Sequence, residues 1–571
     1  MALRAAKGNQ AASGEQCGAD TRVCRVDTRV DAGLGASSTE RLSPTSEPRS
    51  AYDGCVKLIT CALLISFSCT LALAQPAAKK VYPKRWVYLP NDLSSDAELA
   101  KASEIIQTAA AHGLNGVVLG GGLGRIDLQP PDYFPRLKKV KQLCDRLHIE
   151  IIPIGFGTGY GGALLSHDKN LAEGLPVKGA LYIAGEGKAT FQPETEPFVL
   201  ATSGPEPVTR IDKEIIVKPY RCYRVSAKVR GTGVAPNATL EFRADTLDKK
   251  RNYCWFERPI ASGTEWQSYT TAFNSSSAEK LNFNISIEDG LAGKLEIKDL
   301  RIEEVGLLNV LRRDGTPLRV RGEKSGSLLL EGHDYARITD PDLNFLFDRP
   351  SPTITIPAGS TVKPGDRLRV DYYHGMLIYR DQTPACLSEP KVYEIWKKQL
   401  ELIQKYIAPK TYLLSVDEER MGGTCRACQR RKMTMAAMMG DYVSRLEGMM
   451  KAASPGVEVF TWSDMFDPNH NALPNYYLVD GDYTGSWQYL PKDMRIACWN
   501  YDTREKSLPF FSKMGFQTLA AAYYDADDLK NVEGWLESLD KTPNAIGIMY
   551  TTWENKYKLL PAFGDMVSRR K

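Results

Sequence analysis

Three adjacent acids and an arginine, Asp417-Glu418-Glu419-Arg420, follow directly after the apolar run Thr411-Tyr-Leu-Leu-Ser-Val416. The run is typical of a buried strand, and residues that follow a strand of a parallel sheet lie at its C-terminal mouth, where α/β enzymes place their chemistry. Two carboxyls at such a mouth could serve as proton donor and as base or nucleophile. The alternative is a helix N-terminus, because Asp and Glu also favour a first helical turn.

Aromatic and polar residues end most of the other predicted strands as well. In chain order the set comprises Asn91 and Asp92; Asp417, Glu418 and Arg420; Trp462, Ser463, Asp464, Asp467 and His470; Trp499, Asn500 and Tyr501; Tyr523, Tyr524 and Asp525; Trp553 and Glu554. Ring faces stack on the C–H faces of sugars, and carboxyls and amides bind their hydroxyls. A single aromatic is more often part of a core. The repetition over successive strands predicts a sugar-binding pocket.

These residues can meet only if the strands form one sheet. From residue 85 the sequence alternates strands at 85–90, 116–120 and 150–155 with helices at 96–112 and 133–148. Such a βαβαβ order predicts parallel strands.

The alternation then stops. Residues 187–305 show the period-two pattern of an antiparallel β-sandwich without an intervening helix, and a smaller β-rich region follows at 306–374. A helix at 391–406 leads into the strand before Asp417. Further strands are predicted at 457–462, 495–499, 517–523 and 545–550, each followed by a helix.

Three strands before the interruption and five after it make eight, the closure number of a TIM barrel. We therefore predict an α/β fold, a TIM (β/α)8 barrel interrupted after strand 3 by an all-β insert. The barrel would comprise residues 81–158 and 376–571, with the acids in the second part.

Composition excludes some classes of partner. The chain of 571 residues is 43% hydrophobic and 25% charged, which is typical of a globular protein of two or three domains. A net charge of +4 on so long a chain gives no reason to expect nucleic acid or an anionic membrane as partner. The expected partner is an oligosaccharide or polysaccharide.

Residues 56–74 resemble a secretory signal peptide, with one lysine, a short apolar core and a small-x-small cleavage site. The apolar run is shorter than the ~20 residues of a membrane span, so we expect no stable anchor after cleavage. We expect translation to start at Val56, residues 1–55 to be a disordered or mis-annotated extension, and the protein to be secreted or periplasmic.

Seven cysteines follow the cleavage site, and an exported protein can form disulfides. Cys425-Arg-Ala-Cys428 is a single CxxC with no second pair at zinc spacing, which favours a disulfide or free thiols over a metal. Cys222 and Cys254 lie in one β-rich region and could pair. No metal and no cofactor are expected.

Two other motifs lead to no function. The glycines at 120–124 lack the spacing of a dinucleotide fingerprint and no P-loop lysine follows them, so nucleotide binding is rejected. His470 has no partner histidine for a metal, and we expect it to bond locally or to contact substrate.

An Asp-Glu pair at the end of strand four, with tryptophans ending strands five and eight, resembles the catalytic domain of glycoside hydrolase family 20, the β-N-acetylhexosaminidases. Leu414-Ser415-Val416 stands where that family usually has His-x-Gly-Gly, so the chain resembles a divergent relative. The resemblance implies that Glu418 is the general acid and that Asp417 orients a 2-acetamido group acting as nucleophile.

The same resemblance implies roles for the aromatic residues. Trp462, Trp499 and Trp553 would form the pocket walls, and Tyr523 or Tyr524 would donate to the acetamido oxygen. Without acetamido assistance, Asp464 or Glu554 would be the nucleophile. A separation from Glu418 of about 5 Å would indicate retention, and one of about 6.5–9.5 Å inversion.

The insert resembles a carbohydrate-binding module, with Tyr253, Trp255 and Trp266 as platforms or, equally, as core residues. Two alternatives to an exported glycosidase are retained. One is a non-catalytic glycan-binding protein of the cell envelope, and the other is a structural envelope protein whose barrel has lost activity.

Overall fold

The computed structural model describes residues 80–202, 209–235, 238–260, 262–287 and 293–570. The predicted extension at 1–55 and the signal peptide at 56–74 lie outside the described residues, so their assignments stay predictions. None of the helices in the described ranges has both the length and the apolar character that a membrane crossing requires.

The described residues begin with three parallel strands and two helices. They are β1 (Lys84–Asp92), α1 (Asp96–Ala111), β2 (Gly116–Gly121), α2 (Tyr133–Leu147) and β3 (Glu150–Gly155). The Ser95 side chain caps α1 by accepting a hydrogen bond from the Glu98 N–H.

A single helical turn, α3 (Gly162–Leu165), comes next, and thirteen β-strands follow it in the described part of this region. They are β4 (Leu175–Ala184), β5 (Lys188–Phe191), β6 (Phe198–Thr202), β7 (Arg210–Ile216), β8 (Cys222–Thr232), β9 (Thr239–Asp245), β10 (Asn252–Pro259), β11 (Gln267–Asn274), β12 (Lys280–Ile287), β13 (Lys294–Val305), β14 (Arg319–Gly322), β15 (Ile354–Thr355) and β16 (Arg367–His374).

The remainder returns to α/β. Its elements are α4 (Pro390–Tyr406), β17 (Thr411–Leu414), β18 (Met421–Gly422), α5 (Arg426–Gln429), α6 (Met435–Ala453), β19 (Glu458–Trp462), β20 (Leu478–Val479), β21 (Arg495–Cys498), α7 (Arg504–Lys513), β22 (Thr518–Tyr523), α8 (Lys530–Asp540), β23 (Ala545–Thr551) and α9 (Leu560–Ser568).

Eight of these strands form a closed barrel in the order β1-β2-β3-β17-β19-β21-β22-β23. All of its strand pairs are parallel, including the pair of β3 with β17, in which Ile154 and Leu413 are partners. Its interior is filled by side chains such as those of Trp86, Ile152 and Phe460. The prediction of an α/β chain with a closed eight-stranded parallel barrel is confirmed.

The strands between β3 and β17 form three further sheets. Two have four strands each, in the orders β10-β9-β12-β7 and β11-β8-β13-β6, and they share one apolar core. The third has the order β14-β16-β4-β5-β15. The strands of this third sheet therefore precede and follow those of the two four-stranded sheets in the sequence. The sequence pattern predicts that the sandwich starts at residue 187, which lies within the third sheet. The pattern of a strand does not indicate which strand it pairs with, so the boundary between the sheets could not be located.

Two further differences concern local features. Every residue between β19 and β21 is described and none is α-helical, although a helix was predicted after each strand. This segment is rich in Asp, Asn, Pro and Gly and lacks an amphipathic period. The proposed pairing of Cys222 with Cys254 is wrong, because both are free thiols on strands of different sheets.

Candidate active site at the mouth of the barrel

The acids extend from the end of β17. Leu413 points into the barrel interior, and the alternation of side chains along a strand sends Ser415 and Asp417 to the same side. The Ser415 N–H donates to the Gly155 carbonyl of β3 at 2.8 Å, which extends the contact between the strands. The Ser415 hydroxyl donates to Asp417 Oδ1 at 3.0 Å and so orients that carboxyl.

Glu418 points to the other side and is ion-paired. Its Oε1 lies 2.9 Å from Arg420 Nη2, and each side chain is 3% exposed. The Tyr160 hydroxyl donates to its Oε2. Its own backbone N–H donates to Asp464 Oδ2 at 2.9 Å, which brings a third carboxyl into the group. We call Asp417, Glu418 and Asp464 the acid cluster.

The acid cluster has three carboxyl groups and one neighbouring guanidinium, that of Arg420. Burial, reinforced by the charges of Asp464 and Glu418, raises the pKa of Asp417 well above its usual range. Burial also raises the pKa of Asp464 to about 6. Since Arg420 is bonded to Glu418, a retained proton resides on Asp417 or Asp464. Asp417 is the partly exposed member of these two.

Arg420 is held from several sides. Its Nη1 donates to Gln382 Oε1 at 2.7 Å, and its guanidinium lies 4.5 Å from the ring centre of Tyr379 and 5.2 Å from that of Tyr477. Such a fixed cation stabilises the neighbouring charge of Glu418 without reorganisation.

A glycine-rich loop after β3 packs against the acids and was missed by sequence reasoning. A Cβ added at Gly157 would lie 1.9 Å from the Ser415 carbonyl oxygen, and one added at Gly159 would lie 2.3 Å from that of Asp417. Only glycine permits so close a backbone approach. The loop delivers Tyr160 to Glu418. The alternation of glycines from 155 to 161 was the signal that could have identified it.

The aromatic residues form a connected group, but they differ in depth. Trp462 and Trp553 have ring centres 6.2 Å apart, and Trp499 stacks on Tyr524 at 5.9 Å with nearly parallel planes. Trp462 is only 1% exposed and Trp499 only 7%. Solvent reaches Tyr524 and Trp553, so these two rings are the ones that can contact a ligand without rearrangement.

Buried polar atoms without partners occur beside these rings. Both ring nitrogens of His470 lack a hydrogen-bond partner in the described part of the chain, and so does Trp553 Nε1. Burial lowers the pKa of His470 to about 4, so its imidazole is neutral. Its ring centre lies 4.3 Å from that of Trp499. Unpaired buried groups of this kind are costly unless a ligand or water pairs with them.

Three other predicted site residues make contacts within the protein. Tyr523 stacks on Tyr550 at 4.2 Å in the layer between barrel and helices, so Tyr524 alone of this pair reaches the mouth. Asn500 Oδ1 accepts two backbone N–H bonds at the start of α7. Asp92 is ion-paired with Arg125 at 2.9 Å.

Two predicted acids are associated with the loop that follows β23: Asp525 binds its backbone, and Glu554 lies on it. The Asp525 carboxylate accepts the backbone N–H groups of Trp553 at 2.7 Å and of Glu554 at 3.3 Å, and so positions the Trp553 ring. Glu554 is exposed and ion-paired with Lys556 at 2.5 Å. Of the two proposed nucleophiles, Asp464 is the one that lies in the acid cluster, and it is fully buried there.

The backbone is strained where the barrel strands end. Glu418 has a φ of 48°, and the consecutive residues Tyr523, Tyr524 and Asp525 have φ values of 78°, 54° and 60°. Left-handed conformations are costly for residues other than glycine and cluster at functional sites. The mouth of this barrel has that feature on two strands.

One group of metal-ligating side chains lies away from the acid cluster. Glu173, Cys386, Cys425 and Cys428 are all buried, and their ligand atoms lie within 4.8 Å of one another. The CxxC stands alone in the sequence, which favours a disulfide or free thiols over a metal. The two other side chains of this group, Glu173 and Cys386, are distant in the chain, and only the fold brings them to the CxxC.

No model of a known protein family matches the chain, and no curated protein matches it. Among solved structures, the chain resembles a chitobiase from Flavobacterium johnsoniae at 10% identity and a TM-score of 0.35, over 86% of this chain and 48% of that one. It also resembles a rhamnosidase from Novosphingobium sp. PP1Y at 10% identity and a TM-score of 0.29, over 83% and 55%.

A third likeness covers one part of the chain. It is to a carbohydrate-binding module of Cellvibrio mixtus lichenase 5A, at 14% identity and a TM-score of 0.15, over 22% of this chain and 97% of that one. All three TM-scores are too low to establish a shared fold. The chain spans about half the length of the chitobiase and of the rhamnosidase.

Proposed function

We propose that this protein is an exported glycoside hydrolase, which cleaves glycosidic bonds of an extracellular or periplasmic glycan at the acid cluster. The observation that supports this most is the difference in environment between neighbouring carboxyls. Asp417 is partly exposed with a raised pKa, whereas Glu418 is ion-paired with Arg420 at 2.9 Å. Carboxyls whose environments separate their protonation states are what acid–base cleavage of a glycoside needs.

The geometry favours a division of roles that differs from the assignment implied by sequence resemblance. Asp417 is placed to donate a proton to the leaving oxygen, because burial raises its pKa and it is the member of the acid cluster that solvent reaches. Glu418, which is ion-paired with Arg420, is placed to stabilise the positive charge that develops on the sugar. Asp464 fixes the Glu418 backbone through the bond at 2.9 Å and is the nearest further carboxyl.

The partly exposed rings of Tyr524 and Trp553 would take the sugar face. The ring nitrogens of His470 and Trp553 Nε1, which have no hydrogen-bond partner among the described residues, would bind its polar groups. Neutral imidazole and indole N–H groups bind hydroxyl or amide oxygens. A preference for N-acetylhexosamine residues rests on the Asp417-Glu418 resemblance alone. The proposal that the protein is exported is based on the signal-peptide pattern of residues 56–74.

A second function, glycan binding without turnover, is favoured by one observation. Glu418 and Arg420 form a buried ion pair, and Tyr160 donates to the same carboxylate, so Glu418 is enclosed by protein groups. A barrel in which this arrangement is permanent would hold a sugar at the aromatic rings and leave its bonds intact.

A panel of nitrophenyl glycosides with and without the 2-acetamido group separates these functions. We expect turnover of at least one substrate by the wild type and a loss of about 10²-fold or more in Glu418→Gln. The loss in Asp417→Asn should be smaller on these substrates, because nitrophenolates leave with little help from an acid. Asp527→Asn changes an exposed rim aspartate and should retain turnover. Sugar affinity without turnover in the wild type would support the binding protein instead.

A further inference from the structure

A compact set of soft ligands lies where the chain leaves and re-enters the barrel. Cys386 Sγ is 3.4 Å from Cys425 Sγ and 3.6 Å from Cys428 Sγ, and Cys428 Sγ is 3.9 Å from Glu173 Oε2. All four ligand atoms lie within 4.8 Å of one another. The four residues are at most 1% exposed.

These separations match a tetrahedron. Zinc–sulfur bonds of about 2.3 Å and zinc–oxygen bonds of about 2.1 Å give edges of roughly 3.8 Å between sulfurs and roughly 3.6 Å between sulfur and oxygen. The sulfurs are much farther apart than the ~2.05 Å of a disulfide bond. A disulfide would also join only two of the three sulfurs and leave the third unused.

The surrounding groups orient the ligands. Glu173 Oε1 accepts the backbone N–H groups of Thr424 at 3.0 Å and Cys425 at 2.9 Å, which turns Oε2 towards the sulfurs. Arg313 Nη1 lies 3.8 Å from Cys425 Sγ. Hydrogen bonds of this kind fix the orientation of metal ligands, and a nearby guanidinium offsets the negative charge of three thiolates.

We propose that Glu173, Cys386, Cys425 and Cys428 bind one thiophilic divalent cation, zinc by ligand type, as a structural site. Three thiolates and one carboxylate fill four tetrahedral positions with protein groups, and such closed sites hold structure in place. Four mutually close acidic groups in a buried site also require a cation if they are ionised.

The site would connect three distant segments. Glu173 precedes β4, Cys386 follows β16, and the CxxC follows the segment of Asp417 to Arg420 after β17. A bound cation would therefore join both ends of the all-β region to the loop that continues from the acid cluster. The free energy of metal binding would then stabilise the contact between these three segments.

The first experiment is metal analysis of the purified full chain after exhaustive dialysis. We expect about one equivalent of zinc in the wild type and in Cys144→Ala, which removes a buried thiol of α2 outside the cluster. Cys428→Ala and Cys386→Ala should lose most of the zinc. Retention of a full equivalent in both variants would overturn the proposal.

Loss of zinc through misfolding is excluded by two measurements that do not depend on cysteine variants. The wild type refilled with cobalt should show the thiolate charge-transfer and tetrahedral d–d bands, and zinc should restore a melting temperature lowered by a chelator. Glu173→Gln should fold and bind zinc at least 10-fold more weakly. A metal-free wild type with a disulfide among these cysteines, found by mass spectrometry after alkylation, would contradict the proposal.

Discussion

Three consecutive acids have three different environments in this protein. Asp417 lies at the mouth of the barrel and is partly exposed, Glu418 is bonded to Arg420, and Glu419 is fully buried. Glu419 accepts a hydrogen bond from the Thr158 hydroxyl of the glycine-rich loop. Their adjacency in sequence therefore does not imply a shared role, because successive side chains point in different directions.

Glu419 makes a testable contribution to the pH dependence of stability. Burial raises its pKa to about 8, so the folded state favours the neutral acid. A raised carboxyl pKa stabilises the fold below the unfolded value of about 4.3, and this stabilisation is lost as the pH rises through 8, at about 1.4 kcal/mol per pKa unit. Glu419→Gln should melt near the wild type at pH 5 and above it at pH 9.

Melting temperatures at the two pH values test this expectation. Glu394→Gln, an exposed change on α4, should follow the wild type at both. A difference between Glu419→Gln and the wild type that stays constant from pH 5 to pH 9 would contradict it.

Among the elements, the glycine-rich loop after β3 determines where the acids lie. An alanine at Gly157 would place its Cβ 1.9 Å from the Ser415 carbonyl oxygen, so the segment of Ser415 to Glu418 must move. Overpacking of this kind costs about 1–3 kcal/mol. We expect Gly157→Ala to lower the melting temperature and to lower turnover by about 10-fold or more.

Gly162→Ala is the matched control, because a Cβ added there meets nothing within 4 Å. It should retain both stability and turnover. Equal behaviour of the two variants in a melting curve and an activity assay would show that the close approach has no importance.

The periodic elements were predictable from the sequence. The strands predicted at 116–120, 150–155 and 545–550 agree with the observed ones to within one residue, as does the helix predicted at 133–148. Their buried faces repeat at the period of the backbone, which is a local property.

What could not be predicted depends on distant contacts. The pairing of β4 with β16, the meeting of Glu173 with the CxxC, and the approach of Tyr160 to Glu418 each join segments far apart in sequence. Local pattern does not encode such pairs. Burial of Trp462 and Trp499 was missed for the same reason, since residues at strand ends are equally suited to a pocket wall and to a core.

In the whole molecule, the all-β region is docked on the barrel beside the site. Trp255 of β10 stacks on Tyr477 with ring centres 6.2 Å apart and contacts Tyr379 at 4.6 Å. Arg251 Nε donates to the Tyr477 carbonyl at 2.6 Å. Both tyrosine rings also lie against Arg420, so this contact supports the charge partner of Glu418.

Trp255→Ala should therefore affect stability and activity together. Removing a half-buried indole is expected to cost roughly 2 kcal/mol and to lower kcat/KM on a short nitrophenyl glycoside, because Tyr477 loses its stacking partner. Trp266→Ala removes a tryptophan flanked by Arg230 and Lys298 and should leave kcat/KM unchanged. Unaltered kcat/KM in Trp255→Ala would show that the docked region does not support the site.

The most direct test of catalysis at the acid cluster is the leaving-group dependence of Asp417→Asn. A proton donor is needed for a poor leaving group and hardly needed for a good one. We predict that kcat/KM of Asp417→Asn falls by about 10²-fold or more on an alkyl glycoside and far less on the matching dinitrophenyl glycoside. An equal loss on both substrates, or no loss on either, would contradict the role of Asp417 as the acid.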